Sequence, residues 1–269
     1  MTEPLFDHLP NLAMSIAAAR RLVLFLDFDG TLAPIVSDPT QAYMPAETRK
    51  SLTTLAGFEK VTVAIVSGRA LSDLRERIGM RKVIYAGNHG LEIAGPGLQF
   101  VEPTAARRIK ALGELSRHLR TRLRHIAGVE VENKVLSASV HFRRVADAEQ
   151  EIVQENVLTA VGALGNLFDV TIGTKVCEIR PHVHWHKGMA IRWINQTARL
   201  SDSLSICIGD DITDEDAFAA ISDGISIRVG RSPRSGARYY LPKQEAVQRF
   251  LAWLVDLHLE KAGQAHTPS

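Results

Sequence analysis

Three short, nearly continuous apolar runs in the first hundred residues constrain this chain more than anything else in it. They are Leu22 to Leu26, Val61 to Val66 and Val83 to Ala86, all rich in branched side chains; Leu204 to Ile208 and Ile225 to Val229 read as two further strands. A strand with one wet face alternates apolar and polar residues. A run with no alternation must be covered on both faces, as in a parallel sheet flanked by helices. Helix-like stretches lie between and after the runs: Ala46 to Leu55, Leu71 to Ile78, Met189 to Thr197, Asp214 to Ile221 and Glu245 to Leu259. The pattern predicts an α/β, Rossmann-like parallel-sheet core, with its sites at the carboxyl ends of the strands.

The middle of the chain reads differently. Thr104 to Ala127 predicts one long basic helix carrying Arg107, Arg108, Lys110, Arg117, Arg120, Arg122 and Arg124. Val129 to Lys134 pairs with Leu136 to Phe142 and Leu167 to Ile172 with Lys175 to Ile179, the pairs being separated by a helix over Asp147 to Leu164. Two strand pairs and two helices make a small α+β module. The expected division is therefore a core of 1–103 and 182–269, with an inserted domain of 104–181.

Bulk properties narrow the function. With 269 residues, 45% of them hydrophobic, the chain can bury roughly three quarters of its unfolded surface without a staple. Its 32 basic and 30 acidic side chains leave a formal charge of +2, which gives no general pull towards nucleic acid. The basic helix reads as a solvated face, with an attractor of anionic substrate or of nucleic acid as the alternatives. Cys177 and Cys207 sit in apolar runs and read as reduced core thiols. No run approaches the ~20 apolar residues that span a bilayer, and the stretch behind Arg20-Arg21 is too short for an export signal. The expectation is a cytoplasmic monomer without membrane or nucleic-acid partners, fraying over Gly263 to Ser269.

The chemistry begins with Asp27-Phe28-Asp29-Gly30-Thr31, where the first run ends. In extended chain, positions two apart share a side, so the two carboxylates face one volume. They repel unless a cation joins them, and Mg²⁺ takes such hard oxygen ligands. An Asp-x-Asp alone is also what an ordinary solvated turn contains. Three further elements follow in order: Ser67-Gly68-Arg69 after the second run, Lys187-Gly188 at a helix start, and Gly209-Asp210-Asp211-Ile212-Thr213-Asp214-Glu215-Asp216 after another run. Ser67 can hold a phosphate oxygen, Lys187 supplies a compact cation, and the acidic cluster exceeds what a helix cap needs. His182, His184 and His186 alternate, which could suit a transition metal, but they read as loop residues.

This ordered set resembles the haloacid-dehalogenase-like phosphatases. The resemblance implies that Asp27 attacks phosphorus to form an aspartyl-phosphate, while Asp29 protonates the leaving alcohol and then activates water. It implies Mg²⁺ held by Asp27, the Asp29 carbonyl and Asp210, with Asp214 or Asp211 orienting bound water. Thr31, Ser67 and Lys187 would grip the phosphoryl oxygens. A narrower likeness runs from Leu22 to Leu254. Leu26 to Pro39, Ala86 to Glu92, Val131-Glu132-Asn133-Lys134, His141-Phe142-Arg143, Cys177 to Pro181, Trp185 to Gly188 and Ala237 to Leu241 are similar to trehalose-6-phosphate phosphatases. His186 departs from that pattern, standing where an acid is common. The inserted domain would then be a cap reading the sugar through Glu132, Lys134 and Glu178, with His141, Arg143, Asn88 and His89 as further contacts. The implied substrate is a small-molecule sugar phosphate, trehalose 6-phosphate first. Sucrose phosphate or a hexose phosphate is the alternative within the superfamily, and a phospho-receiver module the alternative outside it.

Overall fold

The computed structural model describes residues 2–36, 38–221 and 223–264. In chain order the strands are β1 (Glu3–Pro4), β2 (Leu22–Leu26), β3 (Val61–Val66), β4 (Val83–Gly87), β5 (Glu92–Gly95), β6 (Leu98–Val101), β7 (Glu130–Asn133), β8 (Ala138–His141), β9 (Phe168–Gly173), β10 (Val176–Pro181), β11 (Leu204–Gly209), β12 (Ile225–Val229) and β13 (Tyr239–Leu241). The helices are α1 (Leu9–Ala18), α2 (Ala46–Leu55), α3 (Leu71–Ile78), α4 (Pro103–Leu123), α5 (Asp147–Gly162), α6 (Lys187–Thr197), α7 (Glu215–Ala220) and α8 (Glu245–Gln264). Helix α8 takes in Gly263 and Gln264, the first two residues of the expected tail. Residues 265–269 of that expected tail lie outside the described residues.

The chain divides into two compact units, 1–99 with 186–269, and 100–185. The first is built on a nine-stranded sheet in the order β1-β13-β12-β11-β2-β3-β4-β5-β6. The ladder from β1 to β4 is parallel throughout, and β5 turns back antiparallel against β4. From β2 the chain winds outwards through β3 and β4, then returns to wind the other way through β11, β12 and β13. The switch of direction falls between β2 and β11, the point at which an open sheet of this winding parts its loops into a crevice at the carboxyl ends of the strands. Register aligns those ends, since Leu26 faces both Ile208 and Ile65.

All five residues of β2 are buried. Leu22, Leu24 and Leu26 belong to one cluster with Leu12 and Ile16 of α1, Leu52 and Leu55 of α2, and Phe250, Leu251 and Leu254 of α8. Val23 and Phe25 alternate with them, so they face the other side of the sheet, and both are fully buried. This two-sided burial is the physical counterpart of the unbroken apolar run. Helix α3 is stopped by Gly79 at φ 63°, whose N–H reaches the Arg75 carbonyl, a left-handed C-terminal cap.

The second unit carries a four-stranded antiparallel sheet in the order β7-β8-β10-β9. Val140, Cys177 and Ile179 join Leu112, Leu115 and Leu119 of α4 and Val153 and Val157 of α5 in one core. Glu102 opens α4 by accepting the Ala105 N–H at 2.6 Å. Part of the basic run is structural: Arg108 donates to the Leu167 and His182 carbonyls, Arg120 to the Val131 carbonyl, and Arg122 to Asn156. No helix among the described residues is long and apolar enough to cross a membrane. Cys177 and Cys207 are buried and free.

Truncating the central strand should show how much its burial contributes. Leu24→Ala is expected to cost about 2–5 kcal/mol, read as a lowered urea midpoint with an unchanged slope.

Candidate active site

The crevice is floored by acids from two neighbouring strand ends. Asp27 follows β2, and its N–H extends the ladder by donating to the Ile208 carbonyl at 3.0 Å. Asp210 follows β11, and Asp214 returns from the turn beyond it. Carboxylate oxygens of Asp27, Asp210 and Asp214 all lie within 4.8 Å of one another. Lys187, the first residue of α6, threads its side chain between two of them. Its Nζ is 2.8 Å from Asp27 Oδ1 and 2.6 Å from Asp214 Oδ1. The other oxygen of Asp214 accepts the N–H groups of Asp210 and Asp211, at 3.1 and 3.0 Å. Asp211 returns the favour, its carboxylate capping the Asp214 N–H. Gly30, at φ 73°, is obligatory here: a Cβ on it would stand 2.1 Å from Asp210 Oδ2.

Charge is unbalanced in this floor. Three buried or half-buried carboxylates face a single ammonium. Burial, followed by the repulsion of Asp214 and Asp210, pushes the Asp27 carboxyl well above the usual carboxylate range despite Lys187. Burial and then Asp214 push Asp210 up to about 7. Burial alone would lower the Lys187 ammonium, but Asp214 and Asp27 hold it above its ordinary value. Among the described residues Asp210 Oδ1 is buried with no hydrogen-bond partner. An excess of negative charge, hard oxygen donors and one unsatisfied oxygen fit a divalent cation such as Mg²⁺.

Around the floor stand the candidate phosphate ligands. Thr31 is fully buried, and its Oγ1 finds no hydrogen-bond partner among the described residues. Ser67 lies just beyond β3, and its Oγ accepts the Arg69 N–H at 3.2 Å. Asp29 does not join the acidic cluster with its side chain. Both its oxygens are held at 2.7 Å by Arg69, which also donates to Asp73. Sequence reasoning assigned Arg69 no role. A signal was available in the helix-spaced Arg69 and Asp73, which are i,i+4 neighbours. Asn88 and His89 are buried behind the Ser67 turn, and His186, the residue before α6, faces Asp216 at 3.6 Å.

In the second unit, strand register sets a polar row. Glu132 pairs with Ser139 and Ser139 with Glu178, so the three side chains share one sheet face. Lys134 Nζ lies 4.0 Å from Glu132 and 3.9 Å from Glu178, and His141 is 3.1 Å from Glu132. Arg143 is exposed just past β8. Ser139, at the centre of the row, was not singled out from sequence, although strict alternation from Glu132 and His141 points to it. His182 is paired with Asp169 at 2.9 Å.

A sequence model of the trehalose-phosphatase family matches residues 25–244. A trehalose 6-phosphate phosphatase of maize (Zea mays) is 36% identical over 263 residues, covering 90% of this chain and 72% of that protein. An uncharacterized glycosyl hydrolase of Mycobacterium tuberculosis is 37% identical over 266 residues; the match takes in 94% of this chain but only 20% of that longer protein. The C-terminal domain of the Candida albicans trehalose-6-phosphate phosphatase has the same fold. Its TM-score is 0.79 at 22% identity, with 95% of this chain and 98% of that one covered.

Removing the ammonium should strand two buried carboxylates. Lys187→Met is expected to destabilise the metal-free protein by about 3–5 kcal/mol at neutral pH, measured by chemical denaturation.

Proposed function

The chain belongs to the trehalose-phosphatase family, a family of phosphoric monoester hydrolases, and from that premise we propose that it hydrolyses trehalose 6-phosphate to trehalose and phosphate in trehalose biosynthesis. The observation that carries this reading is the meeting of Asp27, Asp210 and Asp214 around Lys187 at the switch point of the sheet. Asp27 is the nucleophile: one of its oxygens bonds to phosphorus as the bond from phosphorus to the sugar oxygen breaks. Asp29 supplies the proton that the departing alkoxide takes up. It then removes a proton from the water that attacks the aspartyl-phosphate, releasing phosphate and restoring Asp27. For this the Asp29 carboxylate must leave Arg69, so the pair in the structure is a resting arrangement.

Thr31, Ser67 and Lys187 hold the phosphoryl oxygens, and Lys187 offsets charge that develops on them. Asp27, Asp210 and Asp214 would hold Mg²⁺, with the Asp29 carbonyl, as the donor set suggests; Asp211 is engaged as a cap. Mg²⁺, when bound, supplies positive charge opposite the phosphoryl group. Glu132, Lys134 and Glu178 bind sugar hydroxyls, with His141 and Arg143 beside them. Sugars are uncharged and rich in hydroxyls, so a row of acids flanking an ammonium offers both acceptors and donors.

The decisive measurement is phosphate release, with and without Mg²⁺, from trehalose 6-phosphate, sucrose phosphate and hexose phosphates. Turnover is expected only with the metal and at best efficiency on trehalose 6-phosphate. Similar efficiency on all would defeat the substrate assignment. Asp27→Asn should lose roughly 10⁴-fold in kcat while its thermal unfolding stays cooperative; near-normal turnover in a folded variant would remove Asp27 as nucleophile. Glu178→Ala should raise KM for the disaccharide phosphate more than for a small artificial ester, and equal losses on both would take Glu178 out of sugar reading.

A further inference from the structure

Strand β3 ends at Val66, and the next residues, Ser67-Gly68-Arg69, form a turn without regular structure. What fixes that turn is the loop after the neighbouring strand β4. The His89 N–H donates to the Ser67 carbonyl at 2.9 Å, and the Asn88 N–H donates to the Arg69 carbonyl at 2.7 Å. To point two successive N–H groups at these carbonyls, the chain passes through three left-handed residues in a row: Asn88 at φ 50°, His89 at φ 57° and Gly90 at φ 92°. Such a conformation is costly for residues with side chains and persists only where the surroundings over-determine it. Here they do. Asn88 Nδ2 donates to Glu92 Oε1 at 2.7 Å, and the same oxygen takes the first N–H of α3, from Leu71, at 2.8 Å. The His89 ring lies against Gly68, where a Cβ would come within 2.7 Å of the imidazole.

We propose that the Asn88–Glu92 loop is a clasp on the Ser67 turn, and that His89 and Asn88 are positioning residues acting on the phosphoryl group through Ser67, not contacts for the sugar. This rests on the reading of Ser67 as a ligand of the phosphoryl oxygens. Strain has a purpose in this arrangement. A relaxed loop at 88–90 would turn its N–H groups away and leave the Ser67 and Arg69 carbonyls without them.

The test compares trehalose 6-phosphate with p-nitrophenyl phosphate in the full chain, with thermal unfolding as the control for folding. For His89→Ala, kcat/KM should fall by about tenfold on both esters in the same proportion. In a Ser67→Ala background the same substitution should change either by less than about twofold, because its route to the substrate is already gone. A loss confined to trehalose 6-phosphate would make His89 a sugar contact and overturn the proposal. So would an undiminished loss in the Ser67→Ala background, which would mark a general packing defect. Independently of His89→Ala, Gly68→Ala drives a methyl against the ring and is expected to lower activity on both esters. Gly68→Ala with His89→Gly should then regain activity over Gly68→Ala alone, and no recovery would overturn the clasp. A wild-type protein active on p-nitrophenyl phosphate but inert to trehalose 6-phosphate would sink the substrate assignment and leave this test intact.

Discussion

The buried triad of Asp27, Lys187 and Asp214 is the interaction on which the rest of the molecule depends. An ammonium almost sealed from water is tolerable only because two carboxylate oxygens stand within 2.8 Å of it. Each member comes from a different part of the chain, so the triad exists only when β2, β11 and the start of α6 are all in place. It ties the local chemistry to the global fold. It also leaves the site short of positive charge, since Asp210 adds a third carboxylate whose Oδ1 finds no hydrogen-bond partner among the described residues.

The sheet makes that meeting geometrically simple. Parallel strands in register present their carboxyl ends along one edge, and the reversal of winding between β2 and β11 opens a crevice there. No long reach is needed from any side chain except Lys187, which approaches from a helix start. The apolar runs that build the sheet and the acids that follow them are therefore one design. The runs bury the strands on both faces, and the first residue beyond each run is the first that can face water or a ligand.

Much of this was legible in the residues themselves. The nearly continuous runs of β2, β3 and β4 disclosed the parallel core because two-sided burial leaves few polar positions to confuse the pattern, whereas β12, with Ser226 and Arg228, alternates although it lies in the same parallel ladder. Asp27, Ser67, Lys187 and Asp210 were visible because each follows such a run or opens a helix. Strands β1, β5, β6 and β13 were not visible, being two to four residues long and lacking any period. The grip of Arg69 on Asp29 was hidden for a different reason: it joins residues 40 apart whose neighbourhood is created only by the pairing of β2 with β3. The left-handed path of Asn88 and His89 is likewise a tertiary outcome. Their side chains suggested polar contacts with a ligand, and nothing in their identity announces the positive φ of the backbone there.

The polar row of the second unit has a further consequence. Glu132, Ser139 and Glu178 occupy one side of a ribbon whose other side, through Val140 and Cys177, seals the helices. Because side chains alternate strictly, deleting one residue from β8 would turn Val140 outwards and drive Ser139 and His141 into the hydrophobic interior in a single event. With this row as the proposed reader of the sugar, preference for a ligand can drift in this lineage by exchange of side chains along it, while strand length is closed to change. Relatives with altered selectivity should differ in the identity of these positions and keep their spacing.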